Sequence, residues 1–266
     1  MQRSELRELI AFGQELCDLS DRATLPRFRK SIAVANKDRV GGFDPVTEGD
    51  KAAEKAIRTA IRKRYPSHGI LGEEFGDHDH DASFRWVIDP IDGTRAFIIG
   101  MPLWGTLIGL TRDGVPLLGA MSQPFTGERF WSEAGETRWR QGVGKPRTLR
   151  TRGCSSLDQA VLTSTHPDLF AAGEEMQRFQ TLKSCVRMTR FGGDCYGYCL
   201  LAAGHVDLVV EAGLKPYDII ALIPIIEAAG GVVTTWDGRP ATEGGRILAA
   251  GDPKLHAKAM AVLAGR

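Results

Sequence analysis

No long apolar run occurs in this chain. The longest stretch without charge, residues 96–111, contains Gly100, Pro102 and Gly105. It falls short of the roughly 20 apolar residues that span a bilayer. Residues 1–5 carry charges where a signal peptide needs an apolar core, so a soluble, cytoplasmic protein with no membrane partner is expected. Charge of one sign is not in excess either: 34 Lys and Arg face 33 Asp and Glu, a formal net charge of +1. Near neutrality argues against a nucleic-acid partner, whose binding relies on a basic surface to displace counterions. The basic run from Lys145 to Arg152 reads as a solvated linker. Cysteine is sparse. Cys17, Cys154, Cys185, Cys195 and Cys199 form no CxxC pair, and their odd count suits a reducing compartment. Cys195 and Cys199 share a helix face by spacing, but with no second Cys/His pair nearby they read as small buried residues rather than a zinc site. Internal repeats and low-complexity tracts are also missing.

What is present is ordinary globular composition, 42% apolar and 25% charged over 266 residues. One large domain, or two lobes sharing a core, follows from that length. Leu6, Leu9, Ile10 and Leu16 give the first segment a helical stripe that ends before Pro26. Thr47 caps a second helix through the N–H of Asp50, with Ala53, Ile57 and Ile61 on one face until Pro66 stops it. A short strand at Ile70-Leu71 runs into Gly72-Glu73-Glu74. Residues 76–82, rich in Asp and His, read as a mobile loop, and the His78/His80 cluster as solvated rather than metal-binding. Residues 84–88 form a buried strand, and Asp113-Gly114 marks a hairpin between strands at 103–111 and 115–120. Further strands are expected at 129–132 and 137–140. After a linker near 141–156, strands (160–162, 186–189, 206–211) alternate with helices (167–180, 194–203, 218–229). Strands at 232–235 and 247–250 and a helix from Pro253 complete the chain. The pattern is an α+β first lobe, 1–145, followed by an α/β second lobe, 146–266.

The chemistry concentrates where the strand at 84–88 ends. Asp89 and Asp92 stand three apart, Pro90 stiffens the turn, and the carbonyl of Ile91 lies between the two carboxylates. Hard oxygen ligands converging in one turn suit Mg²⁺. The N–H groups of Gly93 and Thr94, at the start of a helix, would face a phosphate. An Asx-turn with a cap is the plain alternative, because D-x-x-D-G stretches also occur in ordinary loops. Glu73 and Glu74 after a short strand, and Asp218 at a helix start, add acidic ends from distant parts of the chain. A site at the rim of a sheet needs such a set, although each member alone would also serve as a cap or a surface charge.

Gly72-Glu73-Glu74, the run WVIDPIDGT over 86–94, and Tyr217-Asp218 resemble, in order and spacing, the inositol monophosphatase superfamily. Asp44-Pro45-Val46-Thr47-Glu48-Gly49-Asp50 is similar to its early motif. The resemblance covers almost the whole chain. It implies a layered αβαβα sandwich, Mg²⁺ dependence, a small-molecule phosphate ester as partner and a homodimer. It implies one Mg²⁺ on Glu73, Asp89 and the Ile91 carbonyl, a second on Asp89, Asp92 and Asp218, and a third, weaker ion near Glu73. It also pairs Thr94 with Asp50 to position and deprotonate the attacking water, and places Lys37 and Asp38 in a mobile loop that closes on the metals.

The alcohol is signalled elsewhere. Arg95-Ala96-Phe97 after the metal turn, residues 100–106, Phe191 through Tyr196, and Tyr217 in place of the usual Trp resemble the histidinol-phosphate phosphatase branch. Histidinol phosphate carries an ammonium and a partly protonated imidazole, so its pocket should hold carboxylates that bind no metal. Asp194 and Glu211 fit that role, with Arg95 beside them; Asp194 would also serve as the cap of its helix. The expected reaction is hydrolysis of L-histidinol phosphate in histidine biosynthesis. Inositol-1-phosphate or broad sugar-phosphate hydrolysis is the nearest rival. A regulatory partner-binding protein of the same fold is the rival from another class.

Overall fold

The computed structural model describes residues 1–31, 33–37 and 45–265. Asp38 and Asp44 lie outside the described residues. Helix α1 (Arg3–Thr24) turns Leu9, Phe12, Leu16 and Cys17 inward and gives way to a 3₁₀ turn at Leu25–Arg27, which contains Pro26. Strands β1 (Val34–Asn36) and β2 (Pro45–Thr47) pair antiparallel and lead into α2 (Glu48–Arg64). Thr47 caps α2 in a capping box: its hydroxyl faces the N–H of Asp50 and accepts from that of Gly49 at 3.1 Å, while Asp50 reaches back to the N–H of Thr47 at 2.8 Å.

Strands β3 (Gly69–Gly72), β4 (Gly76–His78) and β5 (Phe84–Asp92), helix α3 (Thr94–Ile98), and strands β6 (Gly105–Arg112), β7 (Val115–Gln123), β8 (Glu128–Glu133), β9 (Glu136–Gln141) and β10 (Arg147–Leu149) follow. The strands form one eight-stranded sheet in the order β10-β9-β8-β7-β6-β5-β3-β4. Among the described residues of this sheet, only β3 and β5 run parallel. Asp113 and Gly114 both take positive φ, 51° and 79°, as a two-residue hairpin of the mirror-image type requires.

The remainder builds a second sheet. Strands β11 (Val161–Ser164), β12 (Met188–Phe191), β13 (Leu208–Leu214), β14 (Val232–Thr235) and β15 (Gly245–Ala250) lie in the order β12-β11-β13-β15-β14. Helices α4 (Glu174–Cys185), α5 (Asp194–Ala202), α6 (Pro216–Ile219), α7 (Leu222–Ala228) and α8 (Pro253–Leu263) flank it. Three buried clusters define the layers. Ile57 and Ile61 of α2 and Leu16 of α1 meet Trp86, Ile108 and Leu118 on one face of the first sheet. Leu107, Met121 and Phe130, from the other face, share a core with α5, α7 and Val209 and Ile247 of the second sheet. Leu162 and Leu208 pack outward against Phe179 of α4 and Leu255 of α8. The result is the layered αβαβα sandwich. No helix among the described residues is long and apolar enough to cross a membrane.

Four expectations about elements need correction. Residues 76–82 are not all loop, since Gly76–His78 pairs antiparallel with β3. The basic linker contains β10, which pairs with β9 and extends the first sheet beyond residue 145. The helix expected over 167–180 is a 3₁₀ turn at Pro167–Leu169 and then α4, separated by Gly173 at φ 94°. The helix expected over 218–229 is split into α6 and α7. Pro224 has no N–H to donate back to Ile220, so the regular hydrogen-bond ladder cannot run through.

Candidate metal centre and active site

The end of β5 is irregular. The pairing of β5 with β6 shifts register between Asp89, opposite Leu107, and Asp92, opposite Gly105. Such a bulge re-aims side chains that a regular strand would send to opposite faces. The N–H of Ile91 donates to Asp89 Oδ1 at 3.0 Å, and the carbonyl of Pro90 is held by Thr106 Oγ1 at 2.8 Å. Gly93, at φ 83°, turns the chain into α3. Thr94 Oγ1 then lies 3.0 Å from the Ile91 carbonyl and 3.5 Å from Asp50 Oδ1. The capping role of Asp50 therefore leaves one oxygen facing Thr94, while Oδ2 takes the N–H and hydroxyl of Thr47. One carboxylate both starts a helix and borders the site.

Distant elements complete the acidic set. Asp218 enters at α6, where its Oδ2 accepts the N–H of Lys215 at 2.7 Å. Asp92 Oδ2 accepts the N–H of Cys195 at 2.6 Å, tying the metal turn to α5. Asp89, Asp92 and Asp218 each offer an oxygen, and these atoms lie within 4.8 Å of one another. Glu73 faces Asp89 from the end of β3. Lys37 Nζ sits 2.6 Å from Glu73 and 2.9 Å from Glu74. Burial works against that ammonium, but its bonds to the two glutamates outweigh it and hold its pKa above the usual lysine value.

The electrostatics are those of a cation site. Burial, then Glu73, Asp92 and Asp218, push the Asp89 carboxyl well above its ordinary range. Burial, then Asp194 and Asp218, do the same to Asp92. Asp218 is raised to about 7 by burial and by Glu73 and Glu211, against the Lys215 N–H. Asp50 rises to about 6 through burial, against its bonds to Thr47. Buried carboxylates this close repel unless a cation joins them. The donors are all hard oxygens, and a single ammonium already bridges two of the carboxylates at the edge. The set fits Mg²⁺.

A buried clamp that the sequence reading missed supports Glu73. Glu54, wholly buried in α2, accepts the N–H groups of Glu74 and Phe75 at 2.7 and 3.0 Å and the Nε of Arg58 at 2.7 Å. Arg58 in turn donates to the carbonyl of Gly76. Gly72 is required here, because a Cβ would lie 2.1 Å from Glu54 Oε1. The available signal was Glu54 itself, a charge on the same helix face as Ala53 and Ile57.

Opposite the metal turn lie the two carboxylates expected to meet the alcohol. Asp194, at φ 45°, is the first residue of α5, so Gly193 and not Asp194 occupies the cap position. Its carboxyl stands over Gly93, whose Cβ would come 3.0 Å from Asp194 Cγ. Burial and Glu211 raise Asp194 to about 7, opposed by the Gly193 N–H and by Arg95. Glu211 is raised by burial and lowered by its bonds to Thr165 and Tyr198. Asp92, Asp194, Glu211 and Asp218 line one cavity together with Thr165 and Tyr198. The expected residues Asp50, Glu73, Asp89, Ile91, Asp92, Gly93, Thr94, Arg95, Asp194, Glu211 and Asp218 are thus brought to one end of the two sheets. His78 and the exposed His80, whose ring nitrogen meets Asp77 at 2.9 Å, stay outside it.

The chain is similar to several characterised proteins. It is 40% identical to the bifunctional phosphatase IMPL2, chloroplastic, of Arabidopsis thaliana, over 97% of this chain and 75% of that one. It is 35% identical to a histidinol-phosphatase of Mycobacterium tuberculosis, over 87% of this chain and 90% of that one. The solved structure of an inositol monophosphatase from Zymomonas mobilis superposes with a TM-score of 0.86 at 39% identity, covering 97% of this chain and 98% of that one. The model of the inositol monophosphatase family matches residues 5–265. The chain therefore belongs to the inositol monophosphatase family and, with it, to the phosphomonoesterases.

Proposed function

We propose that this protein hydrolyses L-histidinol phosphate to L-histidinol and phosphate. The observation that carries the reading is the pairing of half-buried Asp194 with buried Glu211, two carboxylates outside the acidic metal set that line the same cavity as Asp92 and Asp218. One carboxylate can accept the hydroxyls of a neutral polyol, whereas a second beside it suits an alcohol that bears an ammonium and a partly protonated imidazole. The histidinol-phosphatase at 35% identity supports the same choice.

The family is metal-dependent, typically on Mg²⁺. On the proposed reading Glu73, Asp89 and the Ile91 carbonyl would hold one ion, Asp89, Asp92 and Asp218 a second, with a third near Glu73. When bound, these ions supply Lewis-acid activation of water and stabilisation of the leaving oxygen. The chain's own groups do the rest. Thr94 Oγ1, 3.5 Å from Asp50 Oδ1, takes a proton from the attacking water and passes its own to Asp50. As the water oxygen bonds to phosphorus, the bond from phosphorus to the histidinol oxygen breaks in line, and that oxygen takes a proton from solvent. The N–H groups of Gly93 and Thr94 face the phosphate, while Asp194 and Glu211 fix the alcohol, with Arg95 tempering the charge of Asp194. The five cysteines are free thiols with no part in this scheme, and they suit a cytoplasmic setting.

The test is a side-by-side kcat/KM comparison of histidinol phosphate, inositol-1-phosphate and fructose-1,6-bisphosphate with Mg²⁺. Histidinol phosphate should lead by at least about tenfold, the weight of one charge-assisted hydrogen bond. Equal or better turnover of inositol-1-phosphate would move the assignment to the inositol-phosphate reading.

A further inference from the structure

Glu211 is held by its own protein on both oxygens. Oε1 accepts the N–H of Thr165 at 2.9 Å and the Thr165 hydroxyl at 2.5 Å. Oε2 accepts the hydroxyl of Tyr198 at 2.9 Å. An ionised carboxylate offers about four lone-pair positions. Among the described residues three of them are filled, and the one left is on Oε2. Neither partner is casual. Tyr198 is 1% exposed and sits in the shared core with Cys199, Leu201 and Val209, so its ring cannot swing aside to free the oxygen. Thr165 holds Glu211 through backbone as well as side chain, so Oε1 stays occupied whichever way the hydroxyl turns.

The open position has consequences for what the pocket accepts. A vicinal diol that lays two hydroxyls on one carboxylate needs two acceptor positions, and here it would have to displace the buried Tyr198 from its bond to Oε2. A single ammonium or imidazolium N–H needs one position and forms the stronger, charge-assisted bond. We infer that Tyr198 is a specificity-determining positioning residue, which by occupying Oε2 makes Glu211 a one-donor acceptor and turns the pocket from vicinal diols toward an alcohol bearing one cationic N–H. This rests on the reading of Glu211 as a contact to the substrate alcohol.

The experiment uses the full chain with saturating Mg²⁺ and compares kcat/KM for histidinol phosphate and inositol-1-phosphate in the wild type, Tyr198→Phe, Thr165→Val and Glu211→Gln. Tyr198→Phe should lower the ratio of histidinol phosphate to inositol-1-phosphate by about tenfold, mainly through KM. Thr165→Val, which opens a position on Oε1 and keeps the backbone bond, should shift the ratio the same way by a smaller factor. It decides the matter if the phenylalanine variant does not fold. A purely structural role for Tyr198 lowers Tm but moves both substrates together, and an unchanged ratio in Tyr198→Phe and Thr165→Val overturns the inference. Glu211→Gln separates the role of Tyr198 from the substrate contact of Glu211. If it too leaves the ratio unchanged, the substrate contact of Glu211 fails as well. If it collapses the ratio while the other two variants do not, only the role of Tyr198 is lost.

Discussion

Replacing Asp89 by asparagine separates charge from shape at the one residue that the proposed reading assigns to both ions. The side chain keeps its size and its bond from the Ile91 N–H, while a buried negative charge disappears. Hydrolysis of every phosphate ester should fall by roughly two to three orders of magnitude, as for the loss of a group that acts on developing charge. Circular dichroism should show the fold intact. Substantial Mg²⁺-dependent turnover in this variant would remove Asp89 from the centre of the site. The residues of this turn were legible in the sequence because they are local, six positions from Asp89 to Thr94. Glu54, Thr165 and Tyr198 were not. They reach the site through partners 20, 46 and 13 residues away, and those pairings exist only once the sheets are assembled.

Elements carry the site through the turns between them. The turn after β3 has little apolar anchorage of its own: Glu73 and Glu74 are partly buried and Phe75 is half-exposed, so its geometry depends on Glu54 and Arg58. A buried ion pair is poor evidence for stability, and here its partners point to placement of Glu73. Glu54→Gln, which sets an amide N–H₂ against donors that need an acceptor, should weaken Mg²⁺ binding by about tenfold or more. Calorimetric titration with Mg²⁺, or Mn²⁺ binding followed by electron paramagnetic resonance, reads this without recourse to turnover. Affinity equal to wild type would mean that the turn holds its shape unaided. Periodicity and turn chemistry placed most elements correctly, including the capped α2 and the Asp113-Gly114 hairpin. They failed at Gly76–His78, Arg147–Leu149 and the broken α6–α7, and also across residues 167–180, which divide at Gly173. The first two are short edge strands defined by a partner, not by their own pattern, and in the third Pro224 overrides an otherwise helical stripe.

For the whole molecule the acidic cluster sets a dependence of stability on pH. Asp218 and Asp194 rise from 3.8 to about 7 in the folded protein, and Asp50 from 3.8 to about 6. Their folded pKa values exceed the unfolded ones, so the metal-free protein holds more protons when folded than when unfolded across this window. Stability is then fullest below about pH 4 for these groups and is lost as the pH rises through 6 to 7. Protein stripped with EDTA should melt lower at pH 8 than at pH 5.5, and added Mg²⁺ should raise Tm more at pH 8, where no proton competes for the carboxylates. Differential scanning fluorimetry at the two pH values measures both effects. An equal Mg²⁺ shift at pH 5.5 and pH 8 would detach the cluster from metal binding.

The first sheet meets the α6–α7 segment along a seam where β6 and β7 present glycines in place of side chains. A Cβ on Gly119 would lie 1.8 Å from the carbonyl oxygen of Ala221, and one on Gly109 would lie 2.7 Å from Ile220. Asp218 comes from one side of this seam, and Asp50, Glu73, Asp89 and Asp92 come from the other. Thr165, Asp194, Tyr198 and Glu211 all belong to the second side. In terms of descent, the two halves of the work are therefore open to separate histories. On the proposed reading, the pocket beside α5 and β13 would change its alcohol while the first sheet and the glycine seam, which would fix the phosphate end, stay as they are.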